Sequence, residues 1–255
     1  MIDAHAHLTD ARFAQDLPEV IARARTAGIE RILTAGEDVA SSEAAVALAG
    51  RHPEVRVAVG VHPHRAATWD PAALEKLTDL ARAPAVVAIG EIGLDFSGRS
   101  APRDTQETAF RAQLALASLL GLPVVIHVRD AGARVREIVR ESGGVSGMVH
   151  CYSEGPDELA GWLELGLHVS FAGTLTYPGN DRLRAAAARV DAERLLAETD
   201  SPYLAPQNAR GRRNEPLYVA ATHAALARER GTDVGEVAER IAGNARRLFG
   251  PAWGT

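Results

Sequence analysis

Two histidines stand two residues apart at the start of the chain, His5-Ala6-His7. On an extended strand, residues two apart face the same way, so both imidazoles can reach one metal ion. Alone, such a pair is as readily two polar residues at an exposed start. Glu91, His127, His150 and Asp200 shift that balance, because each closes a short apolar run. Imidazoles and carboxylates that follow Val, Ile and Ala are costly to bury unpaired. A shared divalent cation satisfies them together. Four histidines and two acids exceed the roughly four ligands of one zinc site. They suit two metals about 3.5–4 Å apart with a carboxylate between them. Glu91 is assigned as the bridge. The first metal takes His5, His7, Glu91 and Asp200, and the second takes Glu91, His127 and His150. Mixed nitrogen and oxygen donors admit Mg2+, Mn2+ or Zn2+. One cysteine, Cys151, excludes an internal disulfide and a Cys-cluster metal site.

Further polar residues fall where they could serve this centre. His62 and His64, in Gly60-Val61-His62-Pro63-His64, end another apolar run. They are outer contacts or phosphate donors, or they satisfy loop carbonyls. Arg213, in the loop Arg210-Gly211-Arg212-Arg213, suits a phosphate clamp, because a guanidinium offers two parallel N–H groups. The other reading is a solvated basic loop. Arg129 follows His127 and is a second phosphate candidate, or an exposed neighbour of an Asp130 helix cap. Glu198 precedes Asp200 by two residues and should share its face. It either supports a metal ligand or forms a structural ion pair. Tyr152 and Tyr203, with Trp69 and Tyr177, follow apolar runs and could stack on a base. Aromatic residues are only 5% of the chain, which argues against a long stacking platform. His52, His168 and His223 read as ordinary, and Trp162 and Trp253 as packing residues.

The elements that must hold these groups recur regularly. Apolar runs lie at the start, at Arg31–Thr34, Val55–Val61, Val86–Glu91 and Pro123–His127. They continue at Gly147–His150, Leu167–Phe171 and Leu195–Asp200. Near-continuous apolar strands suit a parallel sheet buried on both faces. Ala-rich stretches with helical periodicity lie between them, at 12–27, 41–50, 71–83, 104–120, 130–142, 156–165, 181–190 and 216–230. Gly28, Gly121 and Gly166 stand where helices should stop. Eight such units in 255 residues predict an α/β fold, a (β/α)8 TIM barrel of one domain over 1–255. A further C-terminal helix is expected over Val234–Phe249. A doubly wound sheet is the competing fold, but its glycine-rich phosphate turn is missing. In the barrel, the ligand-type residues crowd the C-terminal rim of the strands, where such enzymes build their sites.

The chain resembles the TatD-type metal-dependent deoxyribonucleases, a family of amidohydrolase-like barrels. The resemblance runs through Ile2-Asp3-Ala4-His5-Ala6-His7-Leu8, Gly60-Val61-His62-Pro63-His64 and Ile89-Gly90-Glu91-Ile92-Gly93-Leu94-Asp95-Phe96. It continues through Gln106-Glu107, Pro123-Val124-Val125-Ile126-His127-Val128-Arg129 and His150-Cys151-Tyr152-Ser153. Glu198-Thr199-Asp200-Ser201-Pro202-Tyr203-Leu204 and Arg213-Asn214-Glu215-Pro216 complete it. It implies the same six ligands and metal-dependent hydrolysis of phosphodiesters, with Asp200 and Glu91 as the catalytic carboxylates. Related barrels bridge their metals with a carboxylated lysine, but the only lysine here, Lys76, lies in a helical stretch. Two positions depart from the family pattern, Glu154 where a Gly is usual and Ala172 where a Ser is usual.

The expected activity is 3′-5′ exonucleolytic hydrolysis of single-stranded or frayed DNA ends. A formal charge of −5 disfavours a wrapped duplex, which needs broad counterion release. A metal-dependent ester or amide hydrolase on the same barrel is the alternative, and a non-catalytic metal-bound scaffold a more distant one. With 46% apolar and 24% charged residues the composition is globular. No apolar run reaches the roughly 18 residues of a membrane span. The start does not read as a secretion signal, so a cytoplasmic monomer is expected.

Overall fold

The apolar runs fold as eight parallel strands that neighbour one another in sequence order, in a computed structural model that describes residues 1–98 and 101–254. They are β1 (Ile2–Ala6), β2 (Arg31–Ala35), β3 (Val55–Val59), β4 (Val86–Asp95), β5 (Val124–Arg129), β6 (Gly147–Val149), β7 (His168–Phe171) and β8 (Leu195–Ala197). Helices alternate with them: α1 (Leu17–Thr26), α2 (Val39–Ala49), α3 (Pro71–Leu80), α4 (Arg103–Leu120), α5 (Gly132–Glu141), α6 (Pro156–Leu163), α7 (Asp181–Arg189) and α8 (Val219–Arg230). This is the (β/α)8 barrel. The expected extra helix is α9 (Val234–Phe249). Its Asn244 side chain is buried and donates to the carbonyls of Ala192 and Leu195, both at 2.8 Å, which ties α9 to the foot of β8.

Local chemistry sets the helix bounds. Gly28, Gly121 and Gly166 all adopt positive φ, between +65° and +81°, where the sequence places helix stops. Asp38 accepts from Ser41 N–H and Asp70 from Ala73 N–H, capping α2 and α3. The stretch expected as one helix over 12–27 divides. A short turn at Ala11–Phe13 precedes α1, which opens with Pro18 in its first turn. Similarly, Pro216–Tyr218 forms a tight turn ahead of α8.

Two features of the sheet shape the rim. Between β4 and β5, Ile89 pairs with Val124 but Ile92 with Ile126, so three steps on β4 oppose two on β5. The extra residue falls at Gly90-Glu91, and such a bulge re-aims a side chain. Glycine is required there, since a Cβ on Gly90 would stand 2.6 Å from Val125 Cβ. Gly93, at φ +144°, passes so near β5 that a Cβ would stand 2.1 Å from the His127 carbonyl oxygen. The second feature is the seam. β8 ends at Ala197, and the chain beyond it, rather than a paired strand, meets β1. Asp200 N–H donates to His5 O at 3.0 Å, and His7 N–H to Ser201 O at 2.7 Å. Beneath them the fully buried Asp3 accepts from Thr199 N–H at 2.8 Å and from its hydroxyl at 2.6 Å. Two backbone bonds and the Asp3 side chain thus fasten the seam that a strand ladder closes elsewhere.

Two buried histidines make stability depend on pH. Burial lowers His168, at the start of β7, to about 4, with Arg194 and Arg247 adding to the shift. Burial likewise lowers His223 on α8 to about 4, where it faces the Ile2 carbonyl. An unfolded histidine titrates near 6.5, so between pH 6.5 and 4 the unfolded chain binds more protons. This contribution is complete above 6.5 and is lost as pH falls toward 4, by up to roughly 3 kcal/mol per residue. We expect the urea midpoint of His223→Gln to fall less between pH 7 and 4.5 than that of the unsubstituted protein. Parallel falls would refute it.

Candidate metal centre

Glu91 sits at the middle of the centre, 1% exposed, and offers its two oxygens to two sets of donors. Oε2 lies 3.3 Å from His5 Nε2 and 3.4 Å from His7 Nε2. Those two nitrogens are 3.2 Å apart and lie 3.7 and 3.3 Å from Asp200 Oδ1. Four donors about 2.1 Å from one ion stand about 3.4 Å apart in a tetrahedron, so this spacing fits a single small cation. The other oxygen, Oε1, lies 2.8 Å from His127 Nδ1, 2.8 Å from His150 Nε2 and 3.3 Å from His62 Nε2. All six sequence-predicted ligands therefore converge. His62, expected as an outer contact, stands as near Glu91 as His5 does.

The chemistry of the donor set fits a cation as well as its spacing does. Glu91 Oε2 is buried without a hydrogen-bond partner, as are the Nδ1 atoms of His5 and His7. A buried carboxylate oxygen with no donor is expensive, and a cation answers it. Burial disfavours charge on every group here, and neighbours decide the outcome. Burial holds His5 down and takes His62 to about 4. It opposes His7 too, but the Asp200 and Glu91 carboxylates carry that ring up to about 9. His150 is raised well above its usual range against burial by Glu91 and Glu198. Burial acts to raise Glu91, yet the surrounding imidazoles hold it well below the carboxylate range. The pocket thus concentrates negative charge, and a cation binding there displaces protons from the rings.

Further carboxylates orient the imidazoles. Glu198 is fully buried and accepts from His150 Nδ1–H at 3.1 Å, which leaves Nε2 facing Glu91. Asp95, 1% exposed, stands 3.5 Å from His127 Nε2 and 2.8 Å from His64 Nε2. It also accepts from the Ser97 amide and hydroxyl. Sequence reasoning assigned no role to Asp95 or Asp3. The signal was alternation: Asp3 shares parity with His5 and His7, and Asp95 with Glu91. Such carboxylate–imidazole contacts fix the ring and its tautomer. Asp95→Asn should weaken metal binding by about 10–100-fold and leave the fold intact. Titration against a competing chelator checks it, and unchanged affinity would remove Asp95 from this role.

Other expected contacts divide. A cavity of about 890 Å³ opens from the cluster, and His64, Arg129 and Tyr203 line it. Tyr152 is not available for stacking. It is 2% exposed, lies edge-on to Phe171 and donates its hydroxyl to Gly155 O. Its strand-end position turns it into the core. Arg213 is not a phosphate clamp either. It is engaged by Asp16 at 2.7 Å on both nitrogens, by Glu215 and by the Arg12 carbonyl. Trp69 packs partly buried against the core. Glu154 does reach the cavity, but its Oε2 accepts from Trp162 Nε1 at 2.6 Å and faces Arg136 at 3.4 Å. Gly132 leaves room for this carboxylate, since a Cβ there would stand 2.0 Å from Oε1.

Several rim residues hold strained backbone. Asp130, Cys151, Asp200 and Leu204 all have φ between +46° and +55°. That region is costly for non-glycine residues and is concentrated at functional sites.

Known proteins resemble this chain in sequence and in fold. The model of the family described as TatD related DNase matches residues 2–250. A protein of Edwardsiella piscicida named 3′-5′ ssDNA/RNA exonuclease TatD is 39% identical over 98% of this chain and 99% of its own length. A Bacillus subtilis protein named uncharacterized metal-dependent hydrolase YabD is 35% identical over 98% of each. The crystal structure of YJJV, a TatD homologue from Escherichia coli K12, superposes with a TM-score of 0.93. It is 29% identical, and the match covers 98% of this chain and 97% of that one. With the donors on its strand ends and the family pattern along almost its whole length, this chain belongs to the TatD related DNase family.

Proposed function

We propose that the chain is a divalent-metal-dependent exonuclease that removes nucleotides from the 3′ end of single-stranded or frayed DNA. The observation that carries this reading is Glu91, one buried carboxylate whose two oxygens face two separate donor sets. That arrangement suits two cations, whether Mg2+, Mn2+ or Zn2+. Held there, divalent cations supply Lewis-acid stabilisation of phosphoryl oxygens and lower the pKa of water. Asp200 is the cluster carboxylate turned toward the cavity, with 13% of its side chain exposed. It orients the attacking water and takes its proton. Arg129, on the cavity wall, donates to the non-bridging phosphate oxygens as charge builds there, while His64, on the same wall, is held by Asp95. Relatives named as single-strand exonucleases favour nucleic acid over an ester or amide substrate. Among the described residues no helix is long and apolar enough to cross a membrane. We further propose a monomer acting in the cytoplasm.

Metal-stripped protein supplied with one cation at a time, acting on 3′- and 5′-labelled single strands, tests the reading. Metal-dependent stepwise shortening that vanishes in Asp200→Asn is expected, with the two labels giving its direction. No cleavage with any cation would overturn it.

A further inference from the structure

The cavity ends within the molecule's rim, whereas a strand does not. At about 890 Å³ it matches the ~300–1,000 Å³ of sites that hold one small molecule. A longer strand must leave over one wall. The walls differ in charge. On one side stand Glu154 and Glu158, from the loop after β6 and the start of α6. The Arg182 guanidinium there already faces Glu158 and Asp157 at 3.8 and 3.6 Å. The loop after β8 reaches the wall through Asp200, Tyr203 and Leu204, and its basic residues lie further along, at Arg210 and Arg212.

That loop carries two guanidinium–tyrosine stacks. Arg12 lies 4.1 Å above the Tyr203 ring and Arg210 lies 4.3 Å above the Tyr177 ring. Tyr177 is anchored by its hydroxyl to Ala205 O at 2.8 Å, and its carbonyl faces Asn180 of the cavity wall. Tyr203 is 40% exposed, and Arg210 and Arg212 are exposed. Asp10 grips Arg12 through two nitrogens, so that stack is nearly neutral. Arg210 and Arg212 differ, since among the described residues neither pairs with a carboxylate. A guanidinium that meets only a ring face keeps N–H groups that phosphate oxygens can take. Flat guanidinium and tyrosine surfaces also stack unpaired bases.

We propose that a single strand leaves the cavity across the loop after β8, with Arg210 and Arg212 on its phosphates and the two arginine–tyrosine stacks against its bases. This rests on the nuclease reading above. It also moves the phosphate contact from Arg213, which is engaged by carboxylates, to Arg210 and Arg212, which among the described residues pair with none.

The test measures binding, so that it does not depend on turnover. A fluorescein-labelled dodecathymidylate is titrated with chelator-treated protein at several salt concentrations and followed by anisotropy. The variant carries Arg210→Gln and Arg212→Gln. The control carries Arg240→Gln and Arg247→Gln, an equal charge change on α9, where both arginines face Glu193 near the foot of β8. We expect about tenfold weaker binding in the first and no change in the second. The slope of log affinity against log salt should drop by about 1.4 in the first, at roughly 0.7 per phosphate lost. Equal losses in both variants, or none in either, would overturn the inference. Arginine-dependent binding by a protein that cleaves no strand would instead overturn the nuclease reading alone. Cleavage without arginine dependence would overturn the track alone.

Discussion

Replacing Glu91 by alanine should cost more than about 10³-fold in turnover and should remove both cations together. The size follows from position. Loss of one preorganised stabilising group costs about 10²–10³-fold, and Glu91 serves two donor sets at once. His5 and His7 face one oxygen while His62, His127 and His150 face the other. Without that carboxylate, the five imidazoles keep Asp200, Glu198 and Asp95 at their edges but have no anion between the two donor sets. Two cations held so close would then lose the shared negative charge that offsets their mutual repulsion. Glu91→Gln separates charge from shape. Its amide oxygen can serve one donor set, whereas its NH2 group can serve neither, so about half of the bound metal should remain. Metal content by atomic emission beside the rate decides the matter. Two retained equivalents in Glu91→Ala would end the bridging assignment.

Asp200→Asn should lower kcat by about 10²–10⁴-fold, the usual worth of a positioned general base, with little change in KM. Asp200 Oδ1 stands 3.3 Å from His7 and 3.7 Å from His5, close enough to complete their donor set. The amide keeps an oxygen for that purpose, so most of the metal should stay. It cannot take a proton. Asp200 lies below its usual range despite burial, held there chiefly by its contact with His7. It is thus ionised at neutral pH and ready to act as a base. Full rate in the variant, or a loss explained wholly by lost metal, would remove Asp200 as the base. Single-turnover assays at saturating metal separate those outcomes.

The barrel and its ligands were legible because both follow from short-range pattern. Eight apolar runs with helical stretches between them admit few folds, and a ligand at a strand end points to the rim whatever the loops do. Strand-end residues that depend on loop geometry were not legible. Tyr152 looks like Tyr203 in sequence, but the turn after β6 folds one inward while the other stays open. Arg213 looks as free as Arg210 and Arg212. Only the approach of Asp16, almost two hundred positions away in the chain, distinguishes it. His62 was read as an outer contact or phosphate donor, and its 3.3 Å approach to Glu91 depends on where the end of β3 meets β4. Asp95 and Asp3 were passed over although alternation with Glu91, His5 and His7 marked them; their partners, His64 and Thr199, come from neighbouring strand ends. For Arg213 the missing information was long-range, whereas for Tyr152 it lay in the turn itself.

The seam between β1 and the segment after β8 has a consequence for how the molecule holds together over time. Elsewhere the sheet joins neighbours in sequence, and each new strand closes a short loop. The seam must bring His5 to Asp200, a loop of about 195 residues and the most demanding closure in the chain. Cation donors stand on both sides of that join. An ion in the first donor set would therefore clasp the two ends of the barrel. At one hundred times its dissociation constant such an ion adds about 2.7 kcal/mol to stability. The supply of metal in the cell would then govern how long the folded protein survives as well as how fast it works.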